Sequence, residues 1–432
     1  MKQIKGGVAI FPSAPPAMFN YDTEYRYHQE ANFYYLTGFE EPGAVCVIAP
    51  DHPEHQYILF VRPRNPDRET WTGKRAGLDG AKSDFGADEA YPIESFPEKI
   101  HEYLEKVDRL YYGFGSDEKF DEKIIDLFKT YNRRRIRHGK GPNSLIDSTE
   151  ILAEMRTIKN DEEINRIRFA SAATVGAHCA AMKAARPGMY EYELEAIVES
   201  TFRKSCGGRP AFPTIVAAGP NATTLHYTAN NQQIHDGDLV LVDAGCEYKY
   251  YSGDVTRTFP ANGKFSSPQR EIYELVLEVQ LAVVETIRPG NSIGEPNRKA
   301  IDLLTDGMLT LGLLDGKKKT ALAEKTYSQF FMHQVGHMLG LDVHDVNNLW
   351  NSQGLKKFAP GMIITVEPGI YVYENAEKVP EKYLGLGVRI EDSILVTESG
   401  AEILTAGAPK EIDEIEAFMR DGRDNSIRCG GS

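Results

Sequence analysis

Two segments in the second half of this chain repeat one pattern, and this repeat constrains the fold more than any other feature. Residues 236–245 read DGDLVLVDAG and residues 360–369 read PGMIITVEPG. Each has a glycine, an apolar run typical of a buried strand, an acid and a second glycine. We expect an imperfect duplication that places Asp243 and Glu367 at equivalent positions of two half-domains, with a site on a pseudo-twofold axis. Chance similarity between two buried strands is the alternative.

Further acids lie beside these strands. An acid that ends a buried strand, such as Asp243, is costly unless it is paired, protonated or bound to metal. Asp254 follows in SGDVTRTF, where a second strand could return past the first. Glu391 lies in GVRIEDSILV, two residues after Arg389, so the two share a strand face if this run is extended.

Three histidines occur between the two halves, in the segment MHQVGHMLGLDVHDV (332–346). His333 and His337 are four residues apart and would share a helix face if the segment were helical. His344 lies near its end. A lone histidine is more often structural than functional, and HQVGH lacks the glutamate of the H-E-x-x-H zinc motif. The interpretation therefore depends on the whole set of acids and histidines.

Four carboxylates and one imidazole would form a hard, oxygen-rich metal site. Such a site suits divalent manganese, cobalt or zinc, and the lack of sulfur disfavours iron–sulfur clusters or copper(I). Two cations about 3.5–4 Å apart can hold a hydroxide and polarise a carbonyl group.

Charge and composition exclude several other classes of protein. The net charge of −14 disfavours nucleic-acid and membrane-surface partners. There is no apolar stretch of about 20 residues, and the N-terminus has no adequate signal-peptide core. The five cysteines are scattered without a C-x-x-C pair, which favours a reducing cytoplasm.

The length of 432 residues predicts two or three domains. In the first part, strands are expected at 44–49 and 57–61 and helices at 96–107 and 117–131, so this part reads as α/β. A turn-rich segment at 139–148 marks the boundary, which gives domains 1–145 and 146–432. Residues 160–163 (NDEE) predict a helix start with a capping box.

Six segments of the second domain carry a family resemblance. They are TLHYT (224–228), LVLVDAG (239–245), GDVTRTF (253–259), MHQVGHMLGLDVHDV (332–346), TVEPGIY (365–371) and GVRIED (387–392). The chain here resembles the Xaa-Pro aminopeptidases (aminopeptidase P) of the methionine aminopeptidase/prolidase superfamily. FYYLTGFEEPGAV (33–45) and ETWTGKRAG (69–77) resemble the N-terminal domain of that family. The resemblance implies an α+β protein, with an N-terminal α/β domain followed by a pita-bread catalytic domain.

The resemblance also implies roles for individual residues. The ligands of two divalent ions, with Mn²⁺ usual and Co²⁺ or Zn²⁺ possible, would be Asp243, Asp254, His337, Glu367 and Glu391. Asp254 and Glu391 would bridge the two ions. Other residues near the substrate or the ligands would be His226, His333, His344, Tyr371, Arg389 and, from a neighbouring subunit, Trp71. Asn347 and Asn348 stand where the family often has glycine after VHDV, which bears on loop shape and specificity.

The implied reaction is hydrolysis of the bond between an N-terminal residue and proline by a hydroxide held between the two ions. Glu367 would serve as the proton shuttle. The implied partner is a peptide that begins Xaa-Pro, and we expect no nucleic acid, no membrane, and a cytoplasmic dimer or tetramer.

Three alternatives remain at this point. Prolidase, which cleaves only Xaa-Pro dipeptides, has the same ligands, and methionine aminopeptidase usually lacks so large an N-terminal domain. A member without catalytic activity that acts as a binding module would be expected to have lost ligands, whereas all five positions are filled here.

Overall fold

The computed structural model describes residues 2–4, 6–351 and 354–429. The chain divides into two compact units, residues 1–155 and residues 156–432. Helix α6 (Thr149–Thr157) contains the point of division. The domain boundary expected after residue 145 stays a prediction, since the division into compact units falls later in the chain.

The N-terminal unit is built on one six-stranded mixed sheet with the order β4-β3-β2-β1-β5-β6. Its strands are β1 (Gly7–Pro12), β2 (Val45–Ile48), β3 (Tyr57–Val61), β4 (Glu89–Pro92), β5 (Arg109–Tyr111) and β6 (Ser144–Ile146). Its helices are α1 (Ala31–Thr37), α2 (Pro66–Thr72), α3 (Gly77–Ser83), α4 (Phe96–Leu104) and α5 (Glu118–His138).

Apolar side chains cover both faces of this sheet. Successive residues of a strand point to opposite faces, so Val8 and Ile10 enter one core cluster while Ala9 enters another. The first cluster also contains residues of α4 and α5, and the second contains residues of α1 and α3. The expected α/β character of this part is confirmed.

The C-terminal unit contains several short sheets and long helices. Its helices are α7 (Asp161–Ala184), α8 (Glu191–Cys206), α9 (Ser267–Val284), α10 (Glu295–Thr310), α11 (Lys318–Glu324) and α12 (Ile412–Cys429). Its strands are β7 (Arg209–Pro210), β8 (Ile215–Ala218), β9 (Leu239–Ala244), β10 (Cys246–Tyr248), β11 (Tyr251–Ser252), β12 (Val255–Pro260), β13 (Trp350–Asn351), β14 (Gly354–Leu355), β15 (Ile363–Val366), β16 (Gly369–Val372), β17 (Leu386–Arg389), β18 (Asp392–Val396) and β19 (Ala401–Ile403). The capping box predicted for the start of α7 is formed by Asn160 and Glu163.

The two repeated segments adopt the same local structure. Gly237 and Gly361 have the same backbone torsion, φ +87°, within the turns that lead into β9 and β15. This left-handed region favours glycine, which explains why both repeats retain it. β9 then pairs antiparallel with β12, and β15 pairs antiparallel with β18. The duplication expected from the sequence is therefore visible as two antiparallel strand pairs.

A buried ion pair joins these two strand pairs. Arg257 on β12 donates to the carboxylate of Asp392, the first residue of β18, at 2.7 Å, and neither side chain is exposed. Arg257 also donates to the carbonyl oxygens of Ala408 and Glu391. Asp392 accepts three more hydrogen bonds, from Gln280, Thr405 and Lys410. Burial alone would raise the pKa of Asp392, but the charges of Arg257 and Lys410 outweigh it and lower the pKa.

Within the described residues, no helix combines the length and the apolar character that a membrane crossing requires.

Removal of the charge of Asp392 tests the importance of this ion pair. We expect Asp392→Asn to reduce the free energy of unfolding of the C-terminal unit by about 3–5 kcal/mol, because Arg257 is left buried without a counterion. Urea unfolding followed by circular dichroism measures this loss. Asp413→Asn is the matched control in the same unit, since the exposed Asp413 pairs with Arg270 and exposed pairs contribute about 0–1 kcal/mol. Equal effects of both substitutions would contradict a central role for Asp392.

Candidate metal centre

The strand pairs bring four acids to the same place in the C-terminal unit. Asp243 is the penultimate residue of β9, and Asp254 immediately precedes β12, its antiparallel partner. Glu367 immediately follows β15, and Glu391 immediately precedes β18. Each half therefore supplies one acid from the end of a strand and one from the start of the neighbouring strand. Asp254 and Glu391 are almost fully buried.

His337 lies among these acids. Its Nε2 atom is 3.6 Å from Oδ2 of Asp254 and 3.5 Å from Oε1 of Glu367. Asp254, His337 and Glu391 each offer a ligand atom, and these three atoms lie within 4.8 Å of one another. His337 Nδ1 is 3.1 Å from the carbonyl oxygen of Met338. Donation from Nδ1 to that carbonyl leaves the lone pair of Nε2 directed at the acids, as in many metal-binding histidines.

The segment that carries His337 is not helical, so the condition under which His333 and His337 would share a helix face is not met. Val335, His337 and Leu339 form backbone hydrogen bonds to β15, at Glu367, Thr365 and Ile363 respectively. Val335 thus lies opposite Glu367, as Ile215 of β8 lies opposite Asp243. The segment takes the place in the second half that β8 takes in the first.

This strand-like segment also explains one glycine. A Cβ atom built on Gly336 would lie 1.9 Å from the carbonyl oxygen of Thr365. Only glycine therefore allows the segment to approach β15 closely enough to place His337 beside Glu367.

A chain of hydrogen bonds that begins at Arg389 orients two of the acids, Asp243 and Glu391. Arg389 donates from Nη2 to Asp243 at 2.6 Å and from Nε to the hydroxyl of Thr256 at 3.1 Å. The hydroxyl of Thr256 donates in turn to Glu391 at 2.7 Å. A single buried arginine thus orients one acid directly and another through a threonine.

Arg389 also reaches His333 through a tyrosine. Its Nη1 atom donates to the hydroxyl of Tyr371 at 3.0 Å, and that hydroxyl lies 2.9 Å from Nε2 of His333. His333 Nδ1 is 2.8 Å from the carbonyl oxygen of Gln334, so Nδ1 carries the proton and Nε2 accepts from Tyr371. His333 Nδ1 is also 4.0 Å from Glu367.

The remaining two predicted histidines lie at the edge of the cluster. The ring of His344 is 4.3 Å from the ring of His337, and His344 is exposed. His226 is exposed on the loop that follows a 3₁₀ helix at Gly219–Thr223. Trp71 lies in the N-terminal unit, on α2, and is 87% exposed.

Burial shifts the ionisation of most groups in the cluster. Burial, followed by the repulsion of neighbouring acids, raises the pKa of Asp254 and Glu391 well above the usual values. Burial raises the pKa of Glu367 to about 7. It lowers the pKa of His333 and His337 to about 4, so both imidazoles are neutral at neutral pH.

The donor set fits a divalent cation. Among the described residues, Oδ1 of Asp243 and Oδ1 of Asp254 are buried and have no hydrogen-bond partner. Buried acids with unpaired oxygen atoms are costly unless a positive charge offsets them. Carboxylate oxygens and one neutral imidazole are suitable ligands for hard or borderline divalent ions. Asp243, Asp254, His337, Glu367 and Glu391 are the residues that could hold such ions.

Two residues at this site were not anticipated from the sequence. Thr256 links Arg389 to Glu391, and Thr365 donates to Glu367 at 3.4 Å and accepts from the backbone N–H of His337 at 3.1 Å. Each is a hydroxyl residue within a fully buried strand. For Thr365, a lone threonine in the apolar run IITV was the available signal, because a buried hydroxyl needs a partner. Thr256 lies in VTRTFP, which is not an apolar run and gave no such signal.

The family comparisons agree with this geometry. Residues 165–398 match the sequence model of metallopeptidase family M24, and residues 1–111 match that of the aminopeptidase P N-terminal domain. An Xaa-Pro aminopeptidase from Haemophilus influenzae is 43% identical over 404 residues, which cover 93% of this chain and 90% of the relative.

Solved structures give the same result. Pseudomonas aeruginosa aminopeptidase PepP superposes with a TM-score of 0.93 at 43% identity, covering 97% of this chain and 95% of that chain. Aminopeptidase P from Escherichia coli, with the inhibitor Pro-Leu, superposes with a TM-score of 0.91 at 41% identity and the same coverage. The fold expected from the sequence is confirmed, including its N-terminal and C-terminal domains.

The raised pKa values predict that cation binding to the chelator-treated protein releases protons. At pH about 6, Glu367, whose pKa is raised to about 7, holds a proton that a cation must displace, whereas His337 is already neutral. Burial and neighbouring acids also raise the pKa of Asp254 and Glu391, which acts in the same direction. We therefore expect the affinity for Mn²⁺ to rise between pH about 6 and about 8, by about tenfold per pH unit for each proton released. Calorimetric titration in buffers of different ionisation enthalpy counts these protons.

Glu367→Gln is the matched variant for this measurement. It removes one titrating group, so at pH about 6 it should release fewer protons than the unmodified chain. A pH-independent affinity would contradict the proton-linked site.

Proposed function

Because this chain belongs to the aminopeptidase P members of metallopeptidase family M24, we propose that it releases the N-terminal residue from peptides whose second residue is proline. The observation that carries this proposal is the convergence of Asp254, His337 and Glu391, whose ligand atoms lie within 4.8 Å of one another. The H. influenzae relative, an Xaa-Pro aminopeptidase, matches over most of both chains.

The proposal includes two divalent cations, Mn²⁺ in the native enzyme, with Co²⁺ or Zn²⁺ able to replace it. Asp254 and Glu391 would contact both ions, and Asp243, His337 and Glu367 would complete the two ligand sets. When bound, such ions polarise a carbonyl group and lower the pKa of water in the site. Their charge would also keep the buried acids ionised.

Glu367 is the proposed proton shuttle. Bound cations would keep its carboxylate ionised, so it can accept a proton and later return it. It takes a proton from the attacking water and passes it to the nitrogen of proline. This delivery matters because the prolyl nitrogen, as a tertiary amide, has no proton of its own.

The histidines act on the carbonyl side of the substrate in this proposal. His344, exposed at the edge of the site, donates a hydrogen bond to the oxyanion that forms during attack. His333 was the other candidate for this role, but Gln334 and Tyr371 already engage both of its ring nitrogens. His226 contacts the substrate. Tyr371 and Arg389 hold His333 and Asp243 in place through the hydrogen bonds described above.

The free amine of the substrate also suits the site. One of the two proposed cations would hold the free α-amine of the substrate. Such binding would restrict cleavage to the first peptide bond. The dipeptidase alternative, prolidase, is not favoured, because relatives from H. influenzae and E. coli that match 93% and 96% of this chain are Xaa-Pro aminopeptidases.

Two finer features are also proposals. We propose a homo-oligomer, a dimer or a tetramer, which is supported by large exposed aromatic side chains such as Trp71 and Tyr21 in the N-terminal unit. In it, Trp71 reaches the site of a neighbouring subunit. A cytoplasmic location is proposed from the scattered cysteines.

Two substitutions separate proton transfer from metal binding. Glu367→Gln retains an oxygen ligand, so we expect much of the metal content to remain while turnover falls about 10²–10⁴-fold. Asp254→Asn removes the charge of a shared ligand and should lose metal. Metal analysis by mass spectrometry and hydrolysis of an Xaa-Pro-Ala tripeptide measure both effects. Near-normal turnover by Glu367→Gln, or full metal content in Asp254→Asn, would contradict these roles.

Substrate length distinguishes the proposed activity from prolidase. We expect metal-reconstituted protein to cleave Xaa-Pro-Ala and longer peptides, since release of the first residue requires no free carboxylate on proline. Chromatography of the products after incubation with matched di-, tri- and pentapeptides checks this. Cleavage limited to dipeptides would mean that the chain is a prolidase.

A further inference from the structure

Two cysteines that are far apart in sequence meet in the C-terminal unit. Cys206 is the last residue of α8, and Cys246 is the first residue of β10. Their Sγ atoms are 3.6 Å apart, and both thiols are reduced. Cys46 and Cys179 are reduced as well.

Both sulfur atoms lie next to the Cα atom of Gly208, where any other residue would place a side chain. A Cβ atom built on Gly208 would lie 2.6 Å from the sulfur of Cys246 and 2.8 Å from that of Cys206. The chain turns at Gly207, which has φ +64°, and returns as β7, where Pro210 pairs with Cys246. The glycine thus removes the one side chain that would separate the thiols.

We propose that Cys206 and Cys246 form a reversible disulfide when the protein meets a peroxide. A disulfide bond is about 2.05 Å long, so the sulfur atoms must approach by roughly 1.6 Å. Rotation of the two side chains can supply such a movement. This inference is independent of the proposed peptidase function.

The order of attack follows from exposure. Cys206 is partly exposed and Cys246 is buried. Burial, together with the neighbouring Cys206, raises the pKa of the Cys246 thiol. A thiolate is the species that attacks peroxide, so Cys206 reacts first.

The chemical step balances with peroxide as the oxidant. The Cys206 thiolate attacks one oxygen of hydrogen peroxide, the O–O bond breaks, and sulfenic acid and hydroxide form. The sulfur of Cys246 then attacks the sulfenic sulfur. The S–O bond breaks, and the departing hydroxide leaves as water with the proton of Cys246. In total, two thiols lose two electrons, and one peroxide becomes two water molecules.

The cross-link would act on the segment between two acids of the candidate metal centre. Cys246 lies between Asp243 and Asp254 in the sequence, and its carbonyl oxygen accepts from the backbone N–H of Gly253 at 2.9 Å. Its own N–H donates to the hydroxyl of Thr174 on α7 at 2.9 Å. A disulfide would add a covalent link from this segment to the end of α8.

The test uses the full chain and equimolar hydrogen peroxide. We expect the number of titratable thiols, measured in denaturant, to fall from five to three, and dithiothreitol to restore all five. Mass spectrometry of a non-reduced digest should show the peptide pair linked through Cys206 and Cys246. A link between other cysteines, or sulfinic acid on Cys206 without a link, would overturn the proposal.

Variants sharpen the test. Cys179→Ser removes a part-exposed thiol outside the pair. On oxidation, the number of titratable thiols in this variant should fall from four to two. Cys246→Ser should form no link, and dimedone should then label Cys206 as a sulfenic acid; Cys206→Ser should form no link and no sulfenic acid. When the unmodified chain is oxidised in denaturant, the disulfide should no longer form preferentially between Cys206 and Cys246. If this pair still formed preferentially, a role for the folded structure would be contradicted.

Discussion

The ion pair between Arg257 and Asp392 holds together the two halves of the candidate metal centre. It joins β12 to β18, strands that begin immediately after Asp254 and Glu391. Buried charges of this kind are tolerated only when each hydrogen-bonding position is filled. Four donors on Asp392 and several carbonyl acceptors around Arg257 meet that condition.

The acids of the candidate metal centre, unlike Asp392, are not all paired with positively charged side chains. Asp392 is paired, and its pKa is lowered, whereas Asp254 and Glu391 lie among other acids, and their pKa values are raised. Arg389 supplies one positive charge, and its closest acidic contact is Asp243. The fold therefore spends stability on a cluster of acids that a bound cation would make favourable, a pattern typical of functional sites.

Much of this arrangement could be predicted from the sequence, since strand periodicity and glycine placement are local signals. The matching runs that end in Asp243 and Glu367 indicated the duplication and the acids. Pairings between residues far apart in the sequence leave no such local signal. Arg257 was not singled out because its carboxylate partner, Asp392, lies 135 residues away. The spacing of His333 and His337 was ambiguous because short apolar runs suit both strands and helices. Contact with β15 decides it, and sequence alone does not contain that contact.

The duplication has a consequence for the symmetry of the centre. Counting along the two ladders, His337 lies opposite Thr365 where Ala217 lies opposite Leu241. If the two halves were identical, each metal-ligand residue would occur twice, once on each side of the pseudo-twofold axis. In a single polypeptide the halves can differ, and the position that is alanine in the first half, Ala217, is histidine in the second, His337. The donor set of the centre is therefore asymmetric, and two cations bound in it would have different ligands.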